Sequence, residues 1–135
     1  MNILRVPLLL LVSTFAVAAL NDRAPLQGVT AVRAANYGAP SRLVEQRAQV
    51  DSIVEEFSQL RKRSWRRADA KMRCYATVVL LDGTRPVAMF RVRPDLVVEK
   101  PLEKGGSSYS LKVADTDLPG LTKLLGEIPI VKKCD

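Results

Sequence analysis

Two hydrophobic periods divide the chain. Apolar residues recur at helical spacing from Ser41 to Arg73 and alternate from Cys74 onward. At about 100 degrees per residue, Leu43, Val50, Ile53, Val54, Phe57, Leu60, Trp65, Ala68 and Met72 fall within an arc of about 140 degrees. A stripe of that width covers a sheet or another helix. Pro40 and Ser41 supply a start signal. Pro40 disfavours helix in the residue before it, and the Ser41 hydroxyl can accept from an orphan N–H of the first turn. Glu45, Asp51, Glu55 and Glu56 lie early and the bases late, as the helix dipole prefers. Arg61 and Lys71 break the stripe. Either their stems lie along the core, or the helix ends between Leu60 and Trp65. The pattern predicts a long helix from Ser41 to about Arg67, then a frayed connection to Cys74.

Beyond Cys74 the period is two. Cys74 to Leu81 is aromatic and β-branched, so it reads as a strand, and Asp82-Gly83 is a two-residue hairpin signal. Thr84 to Val92 returns. If Leu81 pairs with Thr84, Tyr75 lies opposite Phe90, and both share the helix-facing side with Thr77, Val79, Leu81, Ala88 and Val92. The other side then carries Cys74, Ala76, Val78, Leu80, Val87, Met89, Arg91 and Arg93. Pro86 marks an edge or a bulge. Pro94-Asp95 breaks or bends the strand, and Leu96 to Lys100 continues it. Lys104 to Ser108 is a loop and Tyr109 to Val113 a third strand. Asp117 caps a short helix with Pro119 in its first turn and Gly126 at its end. Ile128 to Lys133 forms a last strand. Ahead of the long helix, Gly28 to Arg33 forms a short edge strand in an otherwise loose leader.

These elements predict an α+β fold: a long amphipathic helix on a curved antiparallel sheet of three to five strands. The order is similar to the cystatin-like layout, in which a sheet wraps a long helix. The inhibitory family carries a Gln-x-Val-x-Gly hairpin. Here the matching hairpin is Val79-Leu80-Leu81-Asp82-Gly83, and the only Trp is Trp65. The likeness is one of layout, and no site residue carries across.

Composition adds a targeting segment. Arg5, the apolar run Val6 to Leu20 and the small-x-small site Ala16-Val17-Ala18 read as a signal peptide. The predicted organisation is a signal at 1–19, a leader at 20–40 and one domain at 41–135. The mature protein is then secreted or periplasmic, after cleavage near Ala18 or Ala19; a retained anchor is the alternative. Export gives meaning to the two cysteines of the 135-residue chain. A disulfide between Cys74 and Cys134 is the simplest account, with two buried thiols as the alternative.

Charge is unevenly placed. Residues 61–73 hold seven of the 21 basic side chains and one of the 14 acidic ones. Beyond this segment and the signal, acids and bases balance. On a continuous helix, Lys62, Arg63, Arg66 and Arg73 would share the face opposite the core, with Trp65 at its border. That is a candidate plate for phosphate, sulfate or an acidic protein surface. A solvated helix end and a proteolytic processing site are the other readings.

Catalytic chemistry is sparse. The chain has no histidine, which excludes histidine general bases, Ser-His-Asp and Cys-His nucleophiles and histidine metal sites. Two cysteines cannot form a four-thiolate zinc site. The carboxylate pairs Asp51/Glu55 and Glu99/Glu103 read as solvated surface, and Asp115 and Asp117 as turn and cap. No cofactor or metal is expected. The sequence points to a small non-enzymatic binding module, acting as an inhibitor, adaptor or immunity-type protein. Its contact loops are Asp82 to Arg85 and Lys104 to Ser108. The alternative is a cationic binder of nucleic acid, sulfated glycan or anionic membrane. Low aromatic content argues against base stacking as its main mode.

Overall fold

Val50, Ile53, Phe57 and Leu60 form the buried side of helix α1, Arg47–Arg61. Their three- and four-residue spacing puts one apolar stripe against a sheet. In the computed structural model, residues 26–69, 74–101 and 107–128 are described. They form an α+β fold with seven antiparallel strands: β1 Ala31–Ala35, β2 Arg42–Val44, β3 Arg66–Asp69, β4 Ala76–Asp82, β5 Arg85–Val92, β6 Val97–Pro101 and β7 Ser107–Lys112. The order across the sheet is β2-β1-β4-β5-β6-β7-β3. A 3₁₀ turn, Asp115–Asp117, leads into helix α2, Pro119–Glu127. One core joins α1 and α2 to Val32, Ala34, Val78, Leu80, Phe90 and Val98. Both helices therefore lie on the same side of the sheet.

The helix is shorter than predicted at both ends. Leu43 and Val44 belong to β2, paired with Arg33 and Val32, so Ser41 caps no helix. The helix starts after Gln46, whose backbone is extended and whose side chain makes no cap bond. At the other end, the Leu60 carbonyl accepts from the Arg63 N–H at 3.0 Å and from Trp65 Nε1 at 2.9 Å. A last-turn carbonyl is thereby satisfied without another helical residue. Arg66 and Arg67 then enter an edge strand, and Ala68 is a strand residue too. The helical stripe therefore stops at Leu60.

The sheet has seven strands where three to five were expected. β1 is not an edge strand: it lies between β2 and β4. Leu26, Val29, Ala31, Val32 and Ala34 are buried, so the described part of the leader belongs to the core. Pro94-Asp95 breaks the strand, and Val97–Pro101 does not continue β5 but returns antiparallel to it as β6. Arg93 donates to the Val97 carbonyl, Leu96 donates to Arg93, and Leu96 takes a left-handed φ of 60°.

The β4–β5 register also differs. Gly83 and Thr84 form the loop, with Asp82 opposite Arg85. Leu81 pairs with Pro86 but Leu80 pairs with Ala88, which makes Val87 an extra residue. Pro86 has no N–H for the ladder, and the strand bulges there. A one-residue bulge exchanges faces. Phe90 therefore lies opposite Val78, while Tyr75 lies on the other side under Arg91. The helix-facing set is Ala76, Val78, Leu80, Ala88, Phe90 and Val92.

The C-terminal half is close to expectation. Tyr109, Leu111 and Lys112 lie in β7, and Pro119 opens α2. Leu118, not Asp117, is the N-cap, and Gly126 lies inside the last turn. The signal peptide, Met72, Arg73, Glu103, the loop before Ser107, most of the predicted last strand and Cys134 lie outside the described residues. The Cys74–Cys134 pairing therefore does too.

Candidate functional site

The sheet has one face under the helices and one turned away from them. On the outer face, register places Leu43, Arg33, Val79 and Met89 in a row across β2, β1, β4 and β5. Alternation explains the row. Val44, Val32, Val78 and Phe90 are the buried neighbours, so the residues beside them point the other way. Leu43 is 48% exposed and Met89 39%, and Val87, the bulge residue, is also 39% exposed. Tyr37 at 38% completes the exposed large hydrophobics among the described residues. Its ring stands edge-on to Tyr75 at 6.5 Å, and the Arg91 guanidinium lies 4.9 Å above the Tyr75 ring. Arg33 thus lies within the apolar row and Arg91 one step beyond it along β5.

The same face continues across β6, β7 and β3. Arg91 is opposite Glu99, Glu99 opposite Ser110, and Ser110 opposite Arg66. Glu99 is only 3% exposed, in contrast to the solvated position expected from sequence. Its Oε2 has no hydrogen-bond partner among the described residues. Asp51 and Glu55 are exposed as expected, each with a neighbour one turn away: Arg47 for Asp51, Gln59 for Glu55.

The basic segment does not form a plate on one helix face, because the helix ends before it. Lys62 is the C-cap of α1 and is exposed. Arg63 closes a two-pronged ion pair on Asp117, at 2.6 and 3.1 Å. The Asp117 carboxyl is held below its ordinary value, first by Arg63 and then by the Ala114 N–H; Arg63 is raised in turn by Asp117. Arg66 points to the outer sheet face, opposite Ser110. Trp65 is partly buried at the border of the core. It packs near Phe90 at 6.5 Å, and the Lys100 ammonium lies 5.4 Å from its ring.

Glu56 was read from sequence only as an early helix acid. It is buried, and its carboxylate accepts from the Gly120 and Leu121 N–H groups at the start of α2. Burial pushes its pKa up, and the two backbone bonds oppose that shift. This carboxylate ties the two helices together and is not presented to solvent. Among the described residues no group of His, Cys, Asp or Glu could hold a metal ion. No described helix is long and apolar enough to cross a membrane.

The outer strip was partly legible. The alternation Val87, Met89, Arg91 groups those three correctly. Leu43 falls in the helical stripe by sequence, and the bulge at Pro86, marked in the sequence only as a possible disturbance, moves Val79 to the face opposite the one its alternation predicts. No known family model, curated protein or solved structure matches the chain.

Proposed function

We propose that this is a small non-enzymatic module that binds another protein, and that the outer face of β2, β1, β4 and β5 is its contact surface. One observation carries the reading. Leu43, Val87 and Met89 are exposed together on one side of a rigid sheet, with Tyr37 nearby. Single exposed apolar residues are ordinary, but a contiguous group on a flat scaffold marks an interaction surface. The hairpin Asp82 to Arg85 borders this face, consistent with its expected part as a contact loop. Secretion or export to the periplasm remains part of the proposal, on the strength of the N-terminal targeting pattern.

A photoreactive residue at Val87 should capture a discrete partner in the native cell extract. The same group at Arg47, on the exposed side of α1, should not. Met89→Asp should abolish capture without lowering stability by more than about 0.5 kcal/mol, as is usual for exposed sites. Equal capture from Val87 and Arg47, or none from either, would refute the reading.

A second reading is binding of polyanions through the 61–73 segment. Exposed Lys62 and Arg66 favour it. Arg63 does not, because Asp117 occupies its guanidinium. Replacing Lys62, Arg63, Arg66 and Arg73 with Gln should then remove a salt-sensitive retention on heparin. Retention unchanged by the four substitutions removes this reading.

A further inference from the structure

We infer that the partner of the outer sheet face presents carboxylates beside apolar side chains, with the carboxylates meeting Arg33 and Arg91. This rests on the contact-surface reading and names the chemistry of what that surface takes.

The inference starts from charge. Arg33 stands in the middle of the exposed row, between Leu43 and Val79. Arg91 stands one row further along, in register with Thr77. Neither has a carboxylate within ion-pair distance among the described residues, whereas the arginines at the two ends of β5 do. Arg85 is held by Asp82 at 3.3 Å and Arg93 by Asp95 at 2.7 Å; Arg42, on the helix side of β2, is held by Glu127 at 3.4 Å. The only carboxylate on this face among the described residues is Glu99, and it is buried. Two guanidiniums therefore stand on the apolar strip without an ion pair among the described residues, while Arg85 and Arg93 of the same hairpin are neutralised.

Charge also narrows the occupant. A second copy placed face to face would bring Arg33 and Arg91 against like charges, which disfavours self-association. A basic partner is disfavoured for the same reason. Arg91 is directed by its seat above Tyr75, so its fork of donors is partly preordered. Such a fork suits a planar carboxylate and holds it bidentately. A membrane is the weaker occupant. Leu43, Val87 and Met89 lie on strands, so they cannot enter a bilayer without the sheet face following; of the exposed large hydrophobics among the described residues only Tyr37 lies in a turn. The surface therefore fits a protein segment in which acidic and apolar side chains are interleaved.

Four methyl-bearing residues report on the strip: Leu43, Val79, Val87 and Met89. The experiment follows their methyl resonances in the full-length protein during titration with five probes. Three are synthetic peptides of equal length: Leu alternating with Asp, Leu alternating with Lys, and Ser alternating with Asp. Two are vesicles, one of phosphatidylserine and one of phosphatidylcholine. The Leu/Asp peptide should shift these methyls saturably and bind about tenfold more tightly than the Leu/Lys peptide, the scale of two exposed ion pairs. Its binding should weaken as salt rises. The double variant Arg33→Glu, Arg91→Glu should reverse the preference, and Arg33→Gln should lessen it if the reversal variant does not fold. Equal binding of Leu/Asp and Leu/Lys peptides overturns the carboxylate assignment and leaves the contact surface standing. Stronger response to phosphatidylserine vesicles than to any peptide overturns the assignment to a protein. No response to any probe overturns the inference. The Val87 and Arg47 cross-links then decide separately whether the face is a contact surface at all.

Discussion

At the scale of single residues, the most consequential group is Glu56. The starting N–H groups of a helix have no intrahelical acceptor, and an acid from the second half of a different helix supplies one for α2. Glu56→Ala leaves the Gly120 and Leu121 N–H groups without that acceptor and should cost about 1–3 kcal/mol. Gly120 belongs to the same arrangement. A Cβ there would sit 2.9 Å from Glu56 Oε1 and 3.0 Å from Ser52 Oγ. Gly120→Ala should therefore destabilise the native protein. In the Glu56→Ala background the same change should stabilise by up to about 1 kcal/mol, since alanine is the better helix former. A denaturation cycle that finds the two changes additive would refute the contact. The pH dependence has a definite sign. Burial raises the Glu56 pKa above its ordinary value of 4.5. The folded protein then holds a proton that the unfolded chain has released, so this group's contribution falls as pH rises from that value through the raised one. Glu56→Gln should remove that slope from urea midpoints measured upward from pH 4.5. An unchanged slope would show that Glu56 is not its source.

At the scale of elements, legibility followed locality. The buried stripe Val50, Ile53, Phe57 and Leu60 was readable because a helix repeats its own geometry. Its ends were not, since both are set by distant or non-periodic contacts: β2 is a strand only because β1 lies beside it, and α1 stops because Trp65 folds back onto Leu60. The hairpin was readable from Asp82-Gly83, and Pro86 was readable as a disturbance. What Pro86 does, a one-residue bulge that sends Tyr75 and Phe90 to opposite faces, depends on the partner strand. That is also why the candidate surface was only half visible: Met89 and Arg91 were placed together, but Arg33, Leu43 and Val79 join them only through sheet pairing. The turn itself offers a test. Gly83 has a φ of 61°, its N–H donates to Thr30 Oγ1 at 2.8 Å, and no atom crowds its missing Cβ. Gly83→Ala should therefore cost about 1–2 kcal/mol from backbone strain alone. Gly83→Asn should cost less, because Asn tolerates the left-handed region. Equal losses for the two variants in chemical denaturation would assign the cost to something other than φ.

At the scale of the molecule, two helices cover one side of a seven-stranded sheet, and an aromatic stack fastens the layers. Phe57 from α1 lies on Phe90 from β5 at 4.2 Å with a 16° tilt between the rings, and Trp65 completes the group. The long-range tie expected from sequence is Cys74–Cys134. Cys74 is half-buried two residues before β4, an interior strand of the sheet. Cys134 is one residue from the last of the 135. A bond between them would fasten the C-terminal tail to the middle of the sheet. It would also close a loop of about 60 residues, worth roughly 4 kcal/mol in the chain-entropy model. The stabilisation would come from restricting the unfolded chain, so it should survive in high salt, unlike the ion pairs of the outer face. Intact mass of the exported, unreduced protein should be two hydrogens below the reduced value, and alkylation before reduction should add nothing. Cys74→Ser, Cys134→Ser should lower the denaturation midpoint but leave the Leu/Asp peptide preference of the outer face intact, because neither cysteine belongs to that strip. Two alkylatable thiols in freshly exported protein would show that the bond is not made.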